Sequence, residues 1–141
     1  MGINMNQFIE HVERILLQHV NGKHCNNIIM QSVHHMIEQN GNISMKELES
    51  GLHISNRQIE RLFNEYIGVS PKMLASLIRY QLLWKDIVCH QEYVQMEFVY
   101  KYGYSDQSHM HHDFKKYHGM NISDARRHAL EDVGNLQDLQ L

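Results

Sequence analysis

Between Ser55 and Gly68 the apolar residues recur at helical spacing. Ile59, Leu62, Phe63, Tyr66 and Ile67 fall at i, i+3, i+4, i+7 and i+8, while Arg57, Glu60, Arg61 and Asn64 take the opposite side. Ser55, three residues before Gln58, forms a capping box that starts a helix over 55–67. Gly68 suits the exit and Pro71 prevents continuation. Upstream, Met45-Lys-Glu-Leu-Glu-Ser-Gly51 predicts a short helix over 44–51, and Leu52-His53-Ile54 a turn. A short helix, a tight turn and a longer capped helix make a helix-turn-helix. In that motif the second helix presents its outer side to the DNA major groove.

The remaining pattern is also helical. Residues 5–20 carry a stripe of Phe8, Val12, Ile15, Leu16 and His19, and residues 21–27 read as a linker. A helix over 27–40 turns Ile28, Ile29, Val33, Met36 and Ile37 inward and ends at Asn40-Gly41. A long helix over 71–88 packs through Met73, Leu74, Leu77, Ile78 and Leu82. After a polar connection over 89–94, a helix over 95–102 buries Phe98, Val99 and Tyr102. Then come a turn at Gly103-Tyr104-Ser105, a helix over 106–118 and a closing helix over 122–130 with Ser123 as its cap. The acidic residues 131–141 read as a frayed tail.

The helix over 106–118 repeats the one over 55–67. At a shift of fifty-one, Ser55 meets Asp106, Ile59 meets Met110, Phe63 meets Phe114, Tyr66 meets Tyr117 and Gly68 meets Gly119. Before the cap the shift is fifty: Leu48 meets Phe98 and Ile54 meets Tyr104, so the second turn holds one extra residue. The matches fall at the cap, core and exit of one element, as an internal repeat requires.

With these residues in view, roughly residues 28–130 resemble the AraC/XylS-type bacterial transcription regulators. The segments that carry the likeness are Ile54-Ser-Asn-Arg-Gln-Ile-Glu-Arg-Leu-Phe63, Gly68-Val-Ser-Pro-Lys72 and Ile78-Arg-Tyr-Gln81. The most specific is Gly103-Tyr-Ser-Asp-Gln-Ser-His-Met-His-His-Asp-Phe114 with Gly119. The resemblance implies an all-α fold, with two helix-turn-helix subdomains joined by a long linker helix. With the extra N-terminal helix, the expected layout is 1–26 helix and linker, 27–70 first subdomain, 71–88 linker helix, 89–130 second subdomain and 131–141 tail. It also implies an upstream sensing or dimerising domain missing from this chain, of which the 5–20 helix is the last element, and activation through RNA polymerase. Trp84 stands where the family usually has a small residue, and the family's usual proline just after Gly119 is absent.

Composition limits the alternatives. In 141 residues there are one proline and no alternating β-branched runs, which favours helices throughout. No signal peptide or long apolar run is present, so a cytoplasmic, nucleoid-associated protein without membrane contact is expected. Cys25 and Cys89 match no metal or redox spacing and read as buried or semi-buried thiols. The net charge of −3 runs against a DNA binder, yet residues 52–86 carry +2 and residues 95–130 carry +1. No nucleophile triad, phosphate loop or carboxylate pair supports catalysis, and no cofactor is implied.

The expected base-reading residues are Arg57, Glu60 and Arg61 on the first recognition helix. On the second they are Gln107, Ser108, His111 and His112. An arginine can donate two hydrogen bonds to guanine O6 and N7, and Gln107 can pair with adenine. Glu60 either accepts from cytosine N4 or holds an arginine by ion pairing. His112 replaces Arg61 in the repeat, so its contacts strengthen as pH falls toward about 6. Phosphate or secondary contacts are expected from Ser55, Asn56, Gln58, Asn64, Ser105, His109 and Lys115. The rival to double-stranded DNA as partner is a protein-interaction module on the same fold. A third reading, a metal-responsive switch, draws on the histidines of 106–118, but these do not converge on one side of a helix.

Overall fold

The computed structural model describes residues 23–89 and 95–138, all seven of whose regular elements are helices. They are α1 (Lys23–Glu38), α2 (Met45–Leu52), α3 (Asn56–Tyr66), α4 (Pro71–Cys89), α5 (Gln95–Lys101), α6 (Gln107–His118) and α7 (Ile122–Asp138). The fold is all-α, as expected, and it divides into two compact units at Leu82 and Leu83, within α4. The anticipated helix over 5–20 and most of the polar connection lie outside the described residues.

The amino-terminal unit is closed by Ile29, Met36, Leu48, Ile59, Leu62, Phe63, Leu74, Ala75 and Ile78. Most of these belong to the helical stripes read from the sequence, but the α4 stripe is shifted: Leu77 is only half buried and Ala75 joins the core. Met73, expected in the α4 stripe, is half exposed. One position before Leu74 it is rotated by about 100° from the core, and Ala75 packs there instead. Asn40 and Gly41 both adopt left-handed backbone and end α1, with the Gly41 N–H donating to the Met36 carbonyl at 2.7 Å. α2 begins with a complete capping box: the Ser44 hydroxyl accepts from the Glu47 N–H, and the Glu47 carboxylate accepts from the Ser44 N–H. Those bonds hold the Glu47 carboxyl below its usual range.

The carboxy-terminal unit buries Leu83, Ile87, Phe98, Val99, Tyr102, Tyr104, Met110, Phe114, Ile122 and Ala125. Asp86 of α4 accepts from the Tyr102 hydroxyl at 2.6 Å and from the Lys101 ammonium, fastening α5 to the carboxy-terminal part of α4. Burial and then Asp86 push the Tyr102 phenol upward, so it remains a donor.

Four features depart from expectation. α1 starts at Lys23, within the anticipated linker, because no glycine or proline follows Gly22 to interrupt it. α7 is capped by Asn121, whose side chain accepts from the Asp124 N–H at 2.9 Å, not by Ser123. α7 also continues to Asp138 through the segment expected to fray; that segment lacks proline, and Gly134 alone costs only about 1 kcal/mol. Cys89 ends α4 and is an exposed free thiol, not a buried one.

Candidate nucleic-acid interface

Helices α3 and α6 are built from the same local chemistry. The Ser55 hydroxyl accepts from the Gln58 N–H, and the Gln58 side chain accepts in return from the Ser55 N–H at 3.2 Å. At the equivalent place the Asp106 carboxylate accepts from the His109 N–H at 2.7 Å. Ile59 with Phe63, and Met110 with Phe114, are fully buried, and Gly68 and Gly119 exit with φ of 83° and 86°. The turns also correspond. His53 has φ 54° where Gly103 has φ 66°, so Ser105 is the residue added in the second turn.

One side of each helix is thereby committed to the core and the other is left outward. Arg57, Glu60, Arg61 and Asn64 are exposed on α3, as are Gln107, Ser108, His112 and Lys115 on α6. Among the described residues neither arginine pairs with Glu60 or with any other carboxylate. Glu60 therefore does not hold an arginine, and both guanidinium groups keep their donors. His111, at the position of Glu60 in the repeat, is half buried, so less of its imidazole is presented than of its neighbour His112.

Several anticipated phosphate contacts are partly occupied within the protein. Ser55 and the Gln58 carbonyl serve the cap, leaving the Gln58 amide outward. The Ser105 hydroxyl lies 3.2 Å from His109 Nδ1, and the His109 ring meets Tyr104 edge-on at 5.2 Å. The Asn56 N–H donates to Glu49 Oε1 at 3.1 Å, and the Asn56 side chain is half buried. Asn64 and Lys115 remain open.

Three supporting contacts escaped the reading of the sequence. Glu49 is one, since nothing in its spacing announces a bond across the turn, and its repeat partner Val99 is apolar. Asp113, on the buried side of α6, accepts from the Tyr104 hydroxyl at 3.1 Å, which ties α6 to the turn before it. Trp84 is accommodated by rings: it lies 4.5 Å from His118 and 5.6 Å from Phe114, and His118 stacks on Phe114 at 4.8 Å.

Burial lowers the His118 pKa from its ordinary 6.5. The unfolded chain thus binds this proton more readily than the folded one. Its contribution to stability is complete above about 6.5 and is lost as pH falls below that value. We expect the urea midpoint to decline on acidification through this window, and to decline less in His118→Phe. An equal decline in both proteins would exclude His118 as its source.

A family model described as a helix-turn-helix domain, of the AraC type, matches residues 48–128, more than half of the chain, from within α2 to within α7. The chain belongs to the AraC-type helix-turn-helix family. Searches of curated proteins and of solved structures find no match to it. An AraC-type domain is a DNA-binding regulatory module, not an enzyme fold, and DNA is the partner this membership supports. No helix among the described residues is long and apolar enough to cross a membrane. Nor do three or more histidine, cysteine, aspartate or glutamate side chains gather among them into a metal-binding group.

Proposed function

We propose that this chain regulates transcription by sequence-specific binding to double-stranded DNA, with α3 and α6 entering successive major grooves about 34 Å apart. Arg57, Glu60 and Arg61 read base edges from α3, and Gln107, Ser108, His111 and His112 from α6. Asn64 and Lys115 meet phosphates, with secondary help from Ser55, Asn56, Gln58, Ser105 and His109. RNA polymerase contact and an upstream sensing or dimerising domain complete the regulator. One observation carries the reading: two arginines a single turn apart on a capped helix, exposed and without an ion pair among the described residues.

A second reading, a protein-interaction module with weak DNA binding, draws on the net charge of −3 and on histidine where the repeat has Arg61. Salt separates the two. Binding to a duplex selected from random DNA should fall steeply with salt if phosphates are neutralised. Arg57→Ala should relax preference at one base pair by about 1–3 kcal/mol, whereas Lys115→Ala should weaken all sequences alike and reduce the salt slope by about one. A flat salt response, or no binding at low salt, favours the protein-interaction reading.

A further inference from the structure

The amino end of α3 is held differently from that of α6. Glu49, half buried in α2, crosses the turn so that its Oε1 accepts the Asn56 N–H at 3.1 Å. Asn56 is the first residue of α3, and its N–H has no intrahelical acceptor. The Ser55 hydroxyl serves the Gln58 N–H, leaving this donor to Glu49. In the second unit the position of Glu49 is Val99, an apolar residue packed into the core. The repeat therefore shows that the motif closes without a carboxylate here.

Resting on the DNA reading above, we propose that Glu49 is a positioning and specificity-determining residue: it locks α3 to α2 and sets a negative charge beside the residues that face DNA. The two effects follow from one group. The bond across the turn fixes the orientation of the helix bearing Arg57 and Arg61. The carboxylate also opposes the positive end of the helix and repels any phosphate approaching Ser55 or Asn56. The charge thus lowers attraction common to all sequences at α3, while the bond across the turn, by orienting the base-reading arginines, is what bears on discrimination. α6 has no carboxylate at Val99; the negative charge at its own amino end is that of the Asp106 cap, which serves the His109 N–H and ties no neighbouring helix.

The test uses the full chain with Glu49→Gln and Glu49→Ala. The glutamine retains an oxygen that can accept from the Asn56 N–H but carries no charge. Glu49→Gln should bind both a selected duplex and a random one more tightly, by about fivefold near 50 mM salt, with the gain shrinking as salt rises. Its melting temperature should fall by less than that of Glu49→Ala, because the bond is kept and only the charge is lost. Glu49→Ala, lacking bond and charge, should melt lower and separate selected from random duplex less well. If the wild type binds DNA with a steep salt slope and Glu49→Gln binds no more tightly, the inference is overturned while the DNA reading stands. If the wild type binds no duplex, both are overturned.

Discussion

Replacing Gly41 by alanine is expected to destabilise the amino-terminal unit by about 3 kcal/mol. Two costs combine. Gly41 has φ +73°, where a side chain costs about 1 kcal/mol or more. An added Cβ would also run into the Ala75 carbonyl oxygen and lie 2.5 Å from the Arg79 amide nitrogen, both backbone atoms of α4 that can yield only by moving the helix. Overpacking of that kind costs about 2 kcal/mol. Gly68→Ala provides the comparison, since its φ is +83° but its new Cβ would meet nothing within 4 Å. Thermal unfolding followed by circular dichroism should show a fall of roughly 15 °C for Gly41→Ala and only a few degrees for Gly68→Ala. Equal shifts would mean that the close approach of the α1 exit to α4 contributes nothing.

The double substitution Arg57→Ala with Arg61→Ala should reduce affinity for a selected duplex by at least about 3 kcal/mol, roughly a hundredfold. Stability should change by no more than about 0.5 kcal/mol, because both side chains are exposed and neither forms an ion pair among the described residues. The separation of those two effects is the informative part. A loss of binding accompanied by a fall in melting temperature would point to damage within α3. A double variant that binds as tightly as the wild type would remove the arginines from the interface.

Much of this architecture could be read from the chain because local and global signals agree. The stripes of α3 and α6, the Ser55–Gln58 box, the Asp106 cap and the glycine exits are short-range features, each with a physical signature a few residues long. The internal repeat then linked the two units by comparing like positions. What escaped were contacts between distant parts of the chain. Nothing in the spacing of Glu49 and Asn56, or of Tyr104 and Asp113, declares a side-chain bond across a turn. Met73 looked like part of the α4 stripe because a methionine beside a leucine leaves the register undecided by one position. The end of α7 runs past the expected fraying because a terminal position alone does not stop a helix, and the segment holds no proline and a single glycine. At the candidate interface, sequence placed the outward residues of α3 well but could not tell whether Glu60 would engage an arginine; that depends on rotamers.

Trp84 is the sole tryptophan of the chain, and it sits against His118 and Phe114. Indole emission responds to the loss of such neighbours and is quenched by a protonated imidazole. The molecule therefore carries an intrinsic optical reporter confined to one half. Fluorescence follows the carboxy-terminal unit, while far-ultraviolet dichroism sums over both, so any divergence between the two signals measures how independently the halves come apart.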